Sequence, residues 1–175
     1  MAKLPPMAEL NQLALSSFAE ALRPLFEAAG PLARVLQGER PFGSYAELLD
    51  RAESAASRLT PADQIEVMSG HPRIGESADA VRQTSALSYR EQGYDREASA
   101  PPEELQRVYG ELASLNRAYE QRFGFRFVVF VNDRPKSEIL KVLQERMHNS
   151  RDAELQAGLS AMFSIARDRL RTLSE

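Results

Sequence analysis

Residues 101–131 read PPEELQRVYGELASLNRAYEQRFGFRFVVFV, and this stretch separates the possible fold classes. Pro101-Pro102-Glu103-Glu104 opens a helix, because proline suits a first turn and acidic side chains suit its positive end. Leu105, Val108, Tyr109, Leu112, Asn116, Tyr119 and Phe123 then recur at three- and four-residue steps along one face, and Gly124 ends the run. Directly beyond, Phe125 to Val131 is aromatic and β-branched, the only strand-like stretch in the chain. A lone strand has nothing to pair with, so the segment reads as a buried extended connector, although its length also allows a helix start.

The helical period continues in both directions. Leu10, Leu13, Ala14, Phe18, Ala21, Leu22, Leu25 and Phe26 make one N-terminal stripe, with a break or restart expected at Pro24 and a stop at Gly30-Pro31. Ser44 with Glu47 reads as a capping box before Leu48, Leu49, Ala52, Ala56 and Leu59. Thr60-Pro61-Ala62-Asp63 opens a short helix carrying Ile65 and Met68 and stopping at Gly70. One further short helix ends at Gln92-Gly93, and two last helices span roughly 136–148 and 152–172. The expectation is all-α: a single domain over residues 1–175, a helical bundle of about seven to nine helices with one short extended segment near 125–131.

Composition narrows the function classes. The 175 residues include no Cys, which excludes disulfides, thiolate metal sites and a Cys nucleophile. With 22 Lys+Arg against 25 Asp+Glu the net charge is −3, and no basic stripe supports a nucleic-acid partner. The longest apolar run, Phe127 to Val131, is five residues, too short for a bilayer, so no membrane partner is expected. The stretch Met1 to Met7 lacks the apolar core of a signal peptide, and Leu173-Ser174-Glu175 is not a peroxisomal address. The expected location is therefore cytoplasmic.

Three places could carry chemistry. His71 follows the helix stop at Gly70 and precedes Pro72, which turns it away from helical geometry and stiffens it. A rigid loop histidine suits acid–base work near neutral pH, and a plain turn accounts for the same pair. On a helix, Ser88, Glu91 and Gln92 share a face, offering a hydroxyl, a carboxylate and an amide to a small polar ring; a solvated helix end is the alternative. Arg169 lies at the edge of the last helix's apolar stripe, where it either snorkels to solvent or holds an anion. His148, beside Asn149 near a helix end, reads as a solvated histidine favoured by the helix dipole. His71 and Glu76 complete no metal-ligand set, and no phosphate loop or Gly-x-Ser-x-Gly elbow occurs. If the protein is an enzyme, acid–base chemistry without metal or cofactor is what remains.

Taken in order, the motifs resemble the 2-oxo-4-hydroxy-4-carboxy-5-ureidoimidazoline (OHCU) decarboxylase family of urate breakdown. They are Arg40-Pro41-Phe42, His71-Pro72-Arg73-Ile74-Gly75, Ser88-x-x-Glu91-Gln92, Leu115-Asn116-x-x-Tyr119, Arg122-Phe123-Gly124-Phe125-x-Phe127-Val128, Glu154-Leu155 and Arg169-Leu170. The resemblance implies an all-helical fold, usually a homodimer, acting on a small anionic ureidoimidazoline substrate. It implies His71 as the catalytic histidine with Pro72 beside the substrate, and Glu91 and Arg169 as further catalytic groups. Ser88, Tyr89, Arg90, Glu91 and Gln92 match one substrate-binding segment, and Phe127, Val128, Val129, Phe130 and Val131 match a second. The chain departs from the family at Arg126, where Pro is common, and at Gly93-Tyr94-Asp95, where small residues leading to Gly-Leu are frequent.

The implied chemistry suits these residue types. The carboxylated ring carbon neighbours a C=N group, which takes up the electron pair as CO2 leaves, so the substrate supplies the electron sink other decarboxylases borrow from a cofactor. The protein holds the ring, stabilises developing charge and delivers a proton to one face, giving (S)-allantoin. Two rivals fit the composition: a non-catalytic helical binding or assembly protein, and a decarboxylase of a related ureido acid.

Overall fold

Local capping chemistry sets most helix boundaries. The computed structural model describes residues 4–95 and 102–173, which form ten helices and no strand. Ser44 accepts a hydrogen bond from the Glu47 N–H at 3.1 Å and opens α4 (Tyr45–Ala56), while Glu47 reaches back to the Gly43 N–H at 2.8 Å. Thr60 accepts from the Asp63 N–H and opens α5 (Pro61–Ser69), with Pro61 in its first turn and Gly70 at its end. Leu59 falls outside α4, past its C-cap Ser57.

The N-terminal region departs from its expected layout. The stripe is divided into α1 (Met7–Leu10) and α2 (Leu15–Phe26), so the break falls at residues 11–14. Pro24 sits inside the last turn of α2, which forgoes the hydrogen bond that position would donate to the carbonyl four residues before but has only two helical residues left beyond it. Gly30-Pro31 starts a helix, α3 (Gly30–Gln37), because a proline near the first position lacks only an N–H that would have no helical partner. The expected single helix before Gly93 is two, α6 (Ala78–Thr84) and α7 (Ala86–Glu91), divided at Ser85, which is extended and caps the second. The long helix α8 (Pro102–Phe123) ends at Gly124 with φ +79°, and α9 (Lys136–Arg146) and α10 (Arg151–Leu173) follow. Residues 125–131 form no helix and no strand, in keeping with an extended connector.

Packing divides the chain into two compact units: residues up to Gly70 with those from Leu159 onward, and His71–Gly158. In the first, Phe18, Leu22, Phe26, Leu32, Leu48, Met162 and Phe163 are buried, and Phe26 meets Phe163 edge-to-face at 5.7 Å. In the second, Tyr119, Phe123, Phe125 and Phe127 form an aromatic cluster, with Tyr119 lying 4.5, 6.0 and 5.3 Å from the other three in turn. Burying side chains of this size contributes about 1.5–3 kcal/mol each. Among the described residues no helix is long and apolar enough to cross a membrane.

Candidate active site

The loop after Gly70 is fastened from several sides within the second unit. His71 is 5% exposed, and Pro72 beside it is buried. Asn116 on α8 donates to the Ile74 carbonyl at 2.9 Å. Arg73 grips Glu120, also on α8, through two nitrogens at 2.5 and 2.8 Å, and reaches Glu76 at 3.1 Å. That pairing holds the Glu120 carboxyl below its usual range and pushes the Arg73 guanidinium up, so the shifts of the two partners agree in direction. Gly75, at φ +79°, lets the backbone turn directly over Leu112.

The end of α7 meets this loop. Ser88 and Gln92 are buried, Tyr89 and Glu91 are half-buried, and Arg90 is exposed, as one helical face would have it. Gln92 makes two long contacts to the loop: Oε1 accepts from the Gly75 N–H at 3.4 Å, and Nε2 lies 3.5 Å from the Pro72 carbonyl. Tyr94 donates to Gln92 Oε1 at 3.2 Å and to the Glu76 carbonyl at 2.6 Å. Lys136, only 6% exposed, donates to the Gln92 carbonyl at 2.9 Å and stands 3.7 Å from the Tyr94 ring centre. Tyr89 accepts from Arg82 at 2.9 Å.

The third expected segment meets the same loop. Arg126, where the sequence departs from the family pattern, donates to the His71 carbonyl at 3.0 Å. Beyond it, Arg146 donates to the Val128 carbonyl at 2.8 Å, and Arg134 to those of Phe130 at 2.6 Å and Val131 at 3.0 Å. Among the described residues the N–H groups of 127–131 have no hydrogen-bond partner. Guanidinium groups therefore occupy the carbonyls of Val128, Phe130 and Val131, and the N–H groups of the segment remain available as donors.

Arg169 lies in the first unit and does not snorkel: it is 1% exposed. It pairs with Glu27 at 2.9 Å, just past the end of α2, and its other terminal nitrogen lies 3.4 and 3.5 Å from the Pro24 and Leu25 carbonyls. His148 is exposed beyond α9, consistent with the solvated reading. A cavity of about 330 Å³ in the second unit is lined by residues including Gln92, Leu105, Val108, Arg134 and Lys136; of the expected site residues only Gln92 lines it. No group of three or more His, Cys, Asp or Glu among the described residues is placed to hold a metal ion. Sequence reasoning missed Lys136, Arg134 and Arg146 because a charged residue on an amphipathic helix or in a turn reads as solvated. It noted Arg126 only as a departure.

Comparison with known proteins gives a consistent picture. The family described as OHCU decarboxylase matches residues 11–171. The chain is 30% identical over 170 residues to the uric acid degradation bifunctional protein PucL of Bacillus subtilis (strain 168), covering 94% of this chain and 32% of that protein. It thus spans about a third of that relative's length. It is 28% identical over 165 residues to the 2-oxo-4-hydroxy-4-carboxy-5-ureidoimidazoline decarboxylase of Haloferax volcanii, covering 94% of this chain and 93% of that one. A crystal structure of OHCU decarboxylase in the presence of (S)-allantoin shares the fold, with a TM-score of 0.67 and 22% identity over 88% of this chain and 97% of that one. So does one of (S)-allantoin synthase, at 0.65 and 19% over 97% and 54%.

Proposed function

The chain belongs to the OHCU decarboxylase family, and from that premise we propose that it converts 2-oxo-4-hydroxy-4-carboxy-5-ureidoimidazoline to (S)-allantoin and CO2 without a cofactor. Support comes from one local arrangement: the His71 loop is bonded both to the end of α7 through Gln92 and to the extended segment through Arg126. Three of the segments assigned to the reaction, the His71 loop, the end of α7 and the stretch that leads into 127–131, thus touch one another within one unit.

In this reading the electron pair left by CO2 passes into the neighbouring C=N, the hydroxyl on the same carbon becomes a carbonyl, and His71 donates the proton that the ureido-bearing carbon takes up on one face, a task suited to an imidazole. Glu91 orients or charges the imidazole, or binds the substrate directly. Ser88, Gln92 and backbone N–H groups of 127–131 hold the ring and ureido group, with Pro72 against the ring and Tyr89 and Arg90 completing the α7 segment. Backbone donors suit this work because they are already oriented and need no reorganisation as charge develops. Arg169 is assigned anion recognition or charge stabilisation from the family resemblance. Because it also pairs with Glu27, loss of activity in an Arg169 variant counts only per folded molecule. A homodimer in the cytoplasm, with no nucleic-acid or membrane partner, goes with this reading, and sedimentation and cell fractionation test it.

The deciding experiment generates the substrate in situ by oxidising urate and follows optically active allantoin by circular dichroism. The protein should accelerate its appearance, and His71→Asn should lower kcat by about 100-fold or more while remaining folded. A protein that leaves the rate unchanged, or a His71→Asn variant with normal rate and normal product handedness, would overturn the assignment.

A further inference from the structure

A buried network lies behind the extended segment, and no role in the reaction has been given to it. Glu154 on α10 is fully buried. Its Oε2 accepts from Tyr119 at 2.5 Å and from Arg146 Nε at 2.8 Å, and its Oε1 accepts from Asn149 at 2.7 Å. Arg146 is thereby held in one orientation. From there it donates through Nη1 to the Val128 carbonyl at 2.8 Å and lies 4.6 Å from the centre of the Phe127 ring.

Packing alone does not account for this arrangement. Removing two charges from water is expensive, and a well-packed apolar pair of similar volume often stabilises a core as well or better. What a planar guanidinium adds is direction, since its donors are fixed in a fork and cannot swing as a lysine's can. Here one donor goes to the anchor and another to a single backbone oxygen. Fixing that carbonyl fixes the peptide plane it belongs to, and so the direction of the N–H of Val129 on the opposite edge.

We propose that Arg146, locked by Glu154, is a positioning residue that sets the backbone of 127–131 so that the Val129 N–H meets the substrate. The proposal rests on the assignment of 127–131 as a binding segment. Arg146 acts through the backbone and touches no substrate itself. The network therefore serves binding geometry, and its loss reads out as weakened substrate affinity in protein that is still folded.

The test measures KM and kcat in the coupled urate assay for the wild-type protein, Arg146→Lys and Glu154→Gln, each corrected for folded fraction by circular dichroism at the assay temperature. Lysine retains the charge but cannot span Glu154 and the Val128 carbonyl together. Arg146→Lys should raise KM by about tenfold with kcat per folded molecule changed less than about threefold, the pattern of lost uniform binding. Glu154→Gln keeps the Val128 bond while loosening its anchor, and should raise KM by about threefold. If Arg146→Lys does not fold, Glu154→Gln carries the test alone. A KM unchanged in every folded variant, with kcat falling only as folded protein is lost, is the signature of a merely structural network and overturns the inference. A wild-type protein that makes no optically active allantoin overturns the functional assignment, and the inference with it.

Discussion

Replacing Gly75 by alanine separates two costs that the His71 loop imposes on its sequence. The backbone there has φ +79°, which an L side chain adopts at a cost of about 1–2 kcal/mol. The added Cβ would also stand 2.9 Å from Leu112 Cδ1 and 3.1 Å from Leu112 Cβ. Leu112 has no exposed surface and sits in the middle of α8, so it has little room to retreat, and such overpacking costs about 1–3 kcal/mol more. The sum, about 2–5 kcal/mol, is a large share of the 5–15 kcal/mol typical of a folded domain. Gly124 provides the control: its φ is the same, +79°, but a Cβ there would meet nothing within 4 Å. Urea unfolding followed by far-ultraviolet circular dichroism should therefore show Gly75→Ala costing about 1–3 kcal/mol more than Gly124→Ala. Adding Leu112→Ala removes the Cδ1 contact, though not the one to Cβ, so Gly75→Ala should cost less in that background than in the wild-type protein. If the two glycine variants fall within about 0.5 kcal/mol of each other, the loop does not press on Leu112 and the packing argument for its rigidity fails.

Two further outcomes follow from the ion pairs. Arg169→Ala removes the cation from a carboxylate, Glu27, whose side chain is only 12% exposed, and should destabilise the protein by about 3–5 kcal/mol in urea unfolding, with Arg169→Lys recovering part; an alanine variant as stable as wild type would refute a structural share for this pair. Because Arg73 depresses the Glu120 carboxyl below 4.5, the stabilisation from that pair is fully present above pH 4.5 and lost as pH falls through the lower folded value. The stability gap between wild type and Glu120→Gln should be constant above that pH and narrow below it, and a gap that stays constant in acid would contradict the assignment.

The features legible in the sequence were those whose cause is local. Ser44, Thr60 and Gly124 act within one turn of themselves, so the start of α4, the start of α5 and the end of α8 were readable from spacing. Gly30-Pro31 was misread because the same dipeptide serves as a stop after one helix and as the first turn of the next. At the site, the shared face of Ser88 and Gln92 follows from helical period and matches their burial. Local pattern could not say that Arg126, 55 residues from His71, donates to its carbonyl, nor that a lysine opening α9 is buried against Tyr94. Arginine and lysine are ordinarily surface residues, and their burial depends on partners that only the folded chain assembles.

The unpaired strand-like segment, the chief oddity of the sequence, is accounted for by the same arginines. Backbone carbonyls removed from water need partners, and in a sheet the neighbouring strand supplies them. Here three carbonyls of 127–131, those of Val128, Phe130 and Val131, accept from Arg146 and Arg134 instead. Guanidinium groups with several donors in a fixed plane do for these carbonyls what a second strand would do, in an all-α fold that has none to offer. The consequence is asymmetric. A neighbouring strand takes up both donors and acceptors along the edge it pairs with, whereas arginines can only donate, so they satisfy carbonyls and leave amides unused. An extended segment held in this way keeps oriented, unpaired N–H groups, which is what the proposed function asks of it. The β-branched and aromatic side chains that give the segment its strand-like composition bury Phe127 and Val128 in the unit's interior and favour an extended backbone.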